Sequence, residues 1–337
     1  MLRLYTVWGM TMQRQLIEHD PYKHFRDTLN AEIAAEFGPR ETWMKPGVPI
    51  VACLSGGKDS TALAILLVRE RPEWIGDREI YFITNDTGWE HPITVAHLEY
   101  LKDALDISIT VPAPKYTFAS LAESRKMFPS TMRRFCTEEL KVLPAARWME
   151  SQGWDDFGCI VARGVRADES RRRRNTQEWG EVTDAIKCYH IWNPLADWTA
   201  DDVFAIHARH GIEPNPLYKQ GMKRVGCWPC IMANKQQLRA SFMLDPELLQ
   251  RLRHLEARVN VVAAASLAEK GKPPMPRSLF RTDKCPARYH SGRATTAKGV
   301  EFTYPTIDDI HRWAMDDSAP DDPDEDGGCV SMYGLCE

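Results

Sequence analysis

Two short stretches of the chain carry residue types whose spacing suits chemistry. The first is Ser55-Gly56-Gly57-Lys58-Asp59-Ser60-Thr61. Adjacent glycines let a backbone bend tightly and approach an anion with no Cβ in the way. Free N–H groups at the start of a following helix grip phosphate oxygens. Lys58 adds positive charge, and Ser55, Ser60 and Thr61 add hydroxyl donors. The glycine spacing is too short for a Walker A loop. A plain Gly-Gly turn capped by Asp59 or Ser60 is the competing reading. The second stretch is Cys227-Trp228-Pro229-Cys230. Two thiols at this spacing suit an iron–sulfur cluster, a zinc ion or a redox dithiol, and the pair alone does not choose among them.

The elements around these stretches determine what they become. Pro49–Leu54 is a short apolar run that reads as a buried strand, and Asp59–Arg71 has helical spacing. The loop is therefore strung between a strand and a helix. Glu79–Thr84 and Ile107–Val111 read as further strands, His91–Leu105 as a helix between them, and Cys159–Ala162 as a fourth strand. Strand–helix alternation of this kind predicts an α/β fold, a parallel sheet flanked by helices with right-handed crossovers. Thr199–His210 reads as a helix capped by Thr199. Leu238–Lys270 reads as one or two helices, and Gly271–Pro276 as a breaker. The expected organisation is a helical segment over 1–47, a nucleotide-binding α/β domain over 48–215, a helical and loop-rich cysteine region over 216–315, and an acidic flexible linker with a cysteine-bearing tail over 316–337.

The chain has 337 residues, 43% hydrophobic and 27% charged, with a net charge of −4. That composition supports a substantial core and excludes a generally basic nucleic-acid coat. No apolar run is long enough to span a bilayer, and no signal peptide is read at the start, so a cytoplasmic protein is expected. Nine cysteines over this length are too sparse and too odd in number for a secreted disulfide framework. Cys53, Cys159 and Cys188, in strand-like or unassigned surroundings, read as small buried hydrophobes. Arg171–Arg174, Arg125 to Arg134 and Lys219 to Arg224 are basic stretches that suit an anionic substrate, although charge runs are commonly just solvated faces.

The loop and five further segments together resemble the PP-loop superfamily of ATP pyrophosphatases and phosphoadenylyl-sulfate reductases. The segments are Asp86-Thr87-Gly88 with Pro92, Arg134-Phe135-Cys136 with Lys141 and Pro144, Gly164-Val165-Arg166 with Ser170, Asn193-Pro194-Leu195 through Asn215-Pro216-Leu217-Tyr218, and Gly226 through Cys230. They cover roughly residues 49–235 in the family's order. The resemblance implies a Rossmann-like, adenine-nucleotide-binding fold of the HUP type. It implies nucleotide contacts from Ser55, Gly56, Gly57, Lys58, Asp59, Ser60, Thr61, Asp86, Thr87, Gly164 and Arg166, with Mg²⁺ to neutralise phosphates. Dedicated sulfonucleotide reductases carry a degraded loop, whereas ATP-cleaving members keep Ser-Gly-Gly-x-Asp-Ser, as this chain does.

The resemblance therefore implies an enzyme that cleaves ATP to AMP and pyrophosphate to activate an acceptor for sulfur transfer, as DNA phosphorothioation or tRNA thiolation enzymes do. Lys58, Asp59, Lys141 and Cys336 are the expected catalytic residues. Cys136 stands at a family cysteine position and adds a third sulfur to Cys227 and Cys230. Phe135 replaces its usual neighbour, which makes Cys285, followed by a proline, the candidate fourth ligand of a [4Fe–4S] cluster, with zinc the second choice. The implied partners are ATP or a sulfonucleotide, a cysteine desulfurase or thioredoxin, and a nucleic-acid acceptor. The alternatives are a thiol-dependent APS or PAPS reductase attacking through Cys336, and a non-catalytic subunit that binds a nucleotide and a cluster.

Overall fold

The computed structural model describes residues 47–130, 133–154, 158–170, 173–183, 188–279 and 284–318, without the side chains of 181–183, 188 and 189. Contacts divide the chain into Met1–Val48 and Pro49–Glu337, and the elements below belong to the second unit. Residues 1–46 of the expected helical segment, the acidic linker beyond Ser318 and the tail with Cys329 and Cys336 lie outside the described residues, as do Arg171 and Arg172.

Strands β1 (Ile50–Cys53), β2 (Ile80–Ile83), β3 (Ile109–Thr110), β4 (Ile160–Ala162), β5 (Trp179–Thr183) and β6 (Cys188–Trp192) form one sheet in the order 3-2-1-4-6-5. All neighbours run parallel except β5, which pairs antiparallel with β6 at the edge. β1 is central and every residue in it is buried, as expected of a parallel strand covered on both faces. The chain proceeds from β1 outward through β2 and β3, then returns to the other side of β1 as β4. The carboxyl ends of β1 and β4 therefore flank the point where strand order reverses, which is where open α/β sheets bind ligands.

Helix α1 (Lys58–Ile65) leaves that crevice directly after β1 and runs on as a π-helical turn, Leu66–Glu70. Helix α2 (Pro92–Leu105) starts with Pro92 in its first turn, where a missing N–H costs nothing, and the His91 ring caps it by accepting from Ile93 N at 3.1 Å. Helix α3 (Phe118–Arg125) is closed by a Thr117–Ser120 capping box. The run 135–151 is helical throughout, with a wide π turn at Glu138–Val142 before α4 (Leu143–Ser151). Helix α5 (Ala200–His210) begins at the expected Thr199 cap, whose hydroxyl accepts from Asp202 N at 3.2 Å. A short turn, α6 (Pro216–Lys219), follows.

Beyond it, α7 (Lys235–Leu244), α8 (Leu248–Ala268) and α9 (Ile307–Met315) pack with α3 around one apolar cluster that includes Phe118, Leu238, Leu252, Val259, Ile310 and Trp313. Asp245-Pro246-Glu247 separates α7 from α8, since proline removes a helical donor. A hairpin of β7 (Gly292–Thr295) and β8 (Glu301–Tyr304) completes the described part. A second cluster, with Val51, Ile83, Val142, Met149 and Val161, joins α4 to the sheet. Cys159, fully buried there, has its thiol pushed up to about 12 by burial, which agrees with a structural cysteine. Among the described residues no helix is long and apolar enough to cross a membrane.

Candidate functional site

The loop after β1 turns on Gly56, whose φ of +75° an L side chain rarely adopts. A Cβ at Gly56 would also lie 3.0 Å from Thr94 Cγ2. Gly57 is extended and forms the N-cap of α1 with no side-chain capping bond, so neither Asp59 nor Ser60 caps the helix. Three of the N–H groups expected to point at a ligand are held by hydroxyls. Ser55 N donates to Ser60 Oγ at 3.1 Å, Gly57 N to Ser55 Oγ at 3.4 Å, and Lys58 N to the Tyr218 hydroxyl at 3.0 Å. Ser60 Oγ in turn donates to Gly57 O at 3.1 Å. The loop thus offers an anion a rim of polarised hydroxyls as well as amides.

Asp59 lies between two cations. Lys58 Nζ donates to its Oδ2 at 2.6 Å, and Arg166 Nε to its Oδ1 at 2.5 Å. Burial pushes the Asp59 carboxyl up, but Lys58 and Arg166 outweigh it and hold the group below its usual range. The Arg166 side chain is 4% exposed and also reaches Asp168. Both Asp59 oxygens are thereby engaged, so as placed this carboxylate does not fit the role of a Mg²⁺ ligand. Gly164, just before Arg166, explains why that segment follows β4 so closely. A Cβ there would lie 2.7 Å from Asp59 C and O and 2.8 Å from Ser60 N. Glu169 forms ion pairs with Arg173 and, at 3.0 Å, with Arg224. The basic stretches thus contribute individual arginines at the edge of the loop.

Below the loop, three buried or half-buried side chains hold its backbone. Asn215 Nδ2 donates to Gly56 O at 3.1 Å, and Tyr218 accepts from Lys58 N. The His207 ring lies between two carbonyls, Lys58 O at 2.9 Å and Ile212 O at 3.1 Å. Only the Asn-Pro-Leu-Tyr motif signalled any of these in the sequence. His207 gave no signal, since a histidine on the inner face of a helix has no local signature.

The Asp86–Glu90 turn meets the loop from β2. Asp86 Oδ1 accepts from Gly88 N at 2.8 Å. The Glu90 carboxylate accepts from Thr87 N at 3.1 Å, Thr87 Oγ1 at 2.5 Å and Trp89 N at 3.1 Å. Asp86 and Thr87 therefore shape this turn, and Glu90, which sequence reading missed, organises it. A β-bridge between Glu90 and Cys227, with Trp228 N donating to Trp89 O at 2.7 Å, fastens the turn to the Cys-x-x-Cys segment.

Two pockets adjoin at this junction. One is lined by the ends of β1 and β2 with Ser55, Glu90, Lys141 and Cys227. The other is lined by Thr87, Phe118, Cys136, Lys141, Cys227 and Cys230. Lys141 and Cys227 stand in the wall of both. The structure thus brings together Cys136, Cys227, Cys230 and Lys141, next to the loop, as the sequence suggested. Cys285 does not line this pocket. It is buried near α9, with its backbone carbonyl accepting from His290, and burial together with Asp309 pushes its thiol up to about 12. Among the described residues no group of three or more His, Cys, Asp or Glu is placed to hold a metal ion. The expected four-cysteine ligand set is therefore not assembled, and the residues as placed do not fit a [4Fe–4S] cluster or a zinc ion. Cys336 lies outside the described residues.

The chain is similar to known proteins. The sequence profile of the phosphoadenosine phosphosulfate reductase domain matches residues 49–233. An uncharacterized 37.8 kDa protein in the gpa 5′ region of Escherichia phage 186 is 35% identical over 269 residues, 64% of this chain and 76% of its own length. The adenosine 5′-phosphosulfate reductase of Streptomyces coelicolor is 28% identical over 182 residues, 53% of this chain and 70% of its own. Among solved structures, phosphoadenylyl-sulfate reductase from Candida auris, in a phosphate complex, aligns with a TM-score of 0.42 at 16% identity, covering 65% of this chain and 93% of that one.

Proposed function

The chain belongs to the phosphoadenosine phosphosulfate reductase domain family, and from that premise we propose that it binds ATP and cleaves it to AMP and pyrophosphate to activate an acceptor for sulfur transfer. An acceptor oxygen attacks the α-phosphorus, the bond from that phosphorus to the bridging oxygen breaks, and pyrophosphate leaves. A sulfur nucleophile then displaces AMP from the activated acceptor. Lys58, the loop amides and the loop hydroxyls take up the charge developing on pyrophosphate, and donors aimed at developing charge commonly supply the largest share of catalysis. Arg166 adds buried positive charge through Asp59. Gly164 gives Arg166 its close approach.

One observation carries this reading: the pocket at the strand ends and the pocket bearing Cys136, Cys227 and Cys230 share Lys141 and Cys227 as a common wall. Activation and sulfur delivery would then occur within one continuous crevice. A cysteine desulfurase is the fitting sulfur source and a nucleic acid, whose phosphodiester carries the oxygen to be activated, the fitting acceptor. A cytoplasmic location suits both.

A second reading is favoured by the relatives named adenosine 5′-phosphosulfate reductase. Here a cysteine thiolate, that of Cys336, attacks the sulfate sulfur, AMP leaves, and a dithiol such as thioredoxin then releases sulfite and is oxidised to its disulfide. A product assay separates the two. ATP with Mg²⁺ yields AMP and pyrophosphate under the first reading. Adenylyl sulfate, with or without a 3′-phosphate, plus thioredoxin yields sulfite under the second. Sulfite formation with ATP untouched would overturn the first reading.

A further inference from the structure

We infer that Tyr218 is a ligand-binding residue whose phenolic proton is donated to a phosphate oxygen seated on the Ser55–Ser60 loop. The inference rests on the reading that this loop holds pyrophosphate, and it adds a residue that neither the loop motif nor the family match assigns.

The Tyr218 hydroxyl accepts the Lys58 N–H at 3.0 Å. A phenol has one proton of its own to donate, and among the described residues nothing accepts it. The side chain is half-buried, and a donor left unpaired there is costly, so a partner is expected where that proton points. Burial holds the phenol above its ordinary range, with Asp59 and Glu169 acting in the same direction, so the group is a neutral donor at physiological pH.

The oxygen is placed at the loop itself. It lies 3.6 Å from where a Cβ at Gly57 would stand, within ordinary contact of the turn. Lys58 Nζ lies 5.9 Å from the ring centroid. The first N–H of α1 points along the helix axis toward its amino end, the side on which helices bind anions. By accepting this N–H the hydroxyl is polarised, and its own proton becomes a better donor. Tyr218 therefore extends the positive end of α1 by one atom, carrying its pull outward to a ligand. Ser55 and Ser60 do the same for two other amides, but Ser60 spends its proton on Gly57 O, whereas Tyr218 has no such outlet.

The test is isothermal titration of the full chain with inorganic pyrophosphate and, separately, with AMP. Tyr218→Phe should weaken pyrophosphate binding about tenfold or more, the size of a lost hydrogen bond to a charged group, and change AMP binding less than twofold. A purely structural role would lower both affinities together, and that result would overturn the inference. So would unchanged pyrophosphate binding. Replacing Tyr218 by 3-fluorotyrosine gives a second reading that does not depend on the folding of the phenylalanine variant. Fluorination strengthens the donor and weakens the acceptor, so pyrophosphate affinity should hold or rise; a fall would overturn the inference. If the wild-type chain binds AMP but not pyrophosphate, the reading of the loop itself fails and the inference falls with it. That outcome is distinct from the others because it appears before any substitution is made.

Discussion

Gly164→Ala tests whether the contact between the β4 loop and the start of α1 is as tight as described. The added methyl would lie 2.7 Å from Asp59 C and O and 2.8 Å from Ser60 N, against 3.4 Å for ordinary contact. The two segments must therefore part by about 0.7 Å, the difference between 3.4 and 2.7 Å. The atoms struck are backbone, and that backbone is held by Asn215, His207 and Tyr218. It cannot swing aside as a side-chain tip would. Overpacking of this kind costs about 1–3 kcal/mol, which lowers Tm by a few degrees. The effect on ligand binding is larger in proportion. Moving loop donors by about 0.7 Å stretches a hydrogen bond of about 2.9 Å to about 3.6 Å, beyond bonding distance. Losing one or two charge-assisted bonds weakens ATP binding by about 10- to 100-fold. Thermal unfolding and calorimetric titration with ATP measure the two effects on one sample. Gly180→Ala, where an added Cβ meets nothing within 4 Å, is the control and should change neither. An alanine at 164 with wild-type Tm and ATP affinity within twofold would refute the reasoning.

Asp59→Ala should cost about 3 kcal/mol in chemical denaturation, because it strands the buried Arg166 guanidinium without its carboxylate. Lys58→Ala should cost under about 1 kcal/mol in the same assay, yet weaken pyrophosphate binding at least about tenfold. The Asp59 contribution is present above the carboxyl's ordinary value and disappears as pH falls through its depressed folded value, so acid should narrow the gap between Asp59→Ala and wild type. His97 is held down at about 4 by burial and by neighbouring His207. Below pH 6.5 the unfolded chain takes a proton that the folded chain refuses, so stability falls by about 2 kcal/mol between pH 7 and pH 5. Glu256, pushed up to about 7 by burial, works in the opposite direction. The readout is therefore the difference in urea midpoint between His97→Gln and wild type, which should shift toward the variant at pH 5; equal shifts with pH would count against it. Asn215→Ala, fully buried and bonded to Gly56 O, should cost about 1–3 kcal/mol, and a loss within error would show that the loop does not need this support.

The central fold was legible because its signals are local and dense. Apolar runs at 49–54 and 79–84 could hardly be anything but buried strands, and Thr199 with two aspartates announced α5. The loop chemistry was legible for the same reason: Gly56 and Gly57 have backbone roles that few other residues fill. The β5–β6 hairpin was missed because Trp179–Thr183 holds a glycine and a glutamate, and its strand character comes from pairing with β6 and from Trp74, Trp179 and Trp192 meeting edge to face or stacked. β7 and β8 were missed because short polar strands declare themselves only through their partners, whereas α9 was missed although its Thr306 cap and the spacing of Ile307, Ile310 and Trp313 are local signals. In the site, three of the four expected cysteines converge and Cys285 does not, since a Cys-Pro step reports local backbone and not where the chain has travelled. Glu90 and His207 were invisible because their importance lies in backbone groups they reach across space.

The wide turn at Glu138–Val142 bears on how this gene can change. In a regular helix, residues five apart differ by about 140° around the axis, while residues four apart differ by about 40°. Cys136 and Lys141 are five apart yet share one pocket wall. The turn absorbs one residue, so everything after it stays in phase with everything before. Loss of a single codon inside the turn would close it to a regular one and leave Lys141 four places from Cys136, still on the same face. Val142, Ala145 and Met149 would likewise keep facing the sheet. A codon lost or gained elsewhere in the run would rotate half of the helix by about 100°, taking either the lysine or the core with it. The turn is thus a place where length can drift while the crevice is conserved, and relatives shorter by one residue are expected to be shorter there.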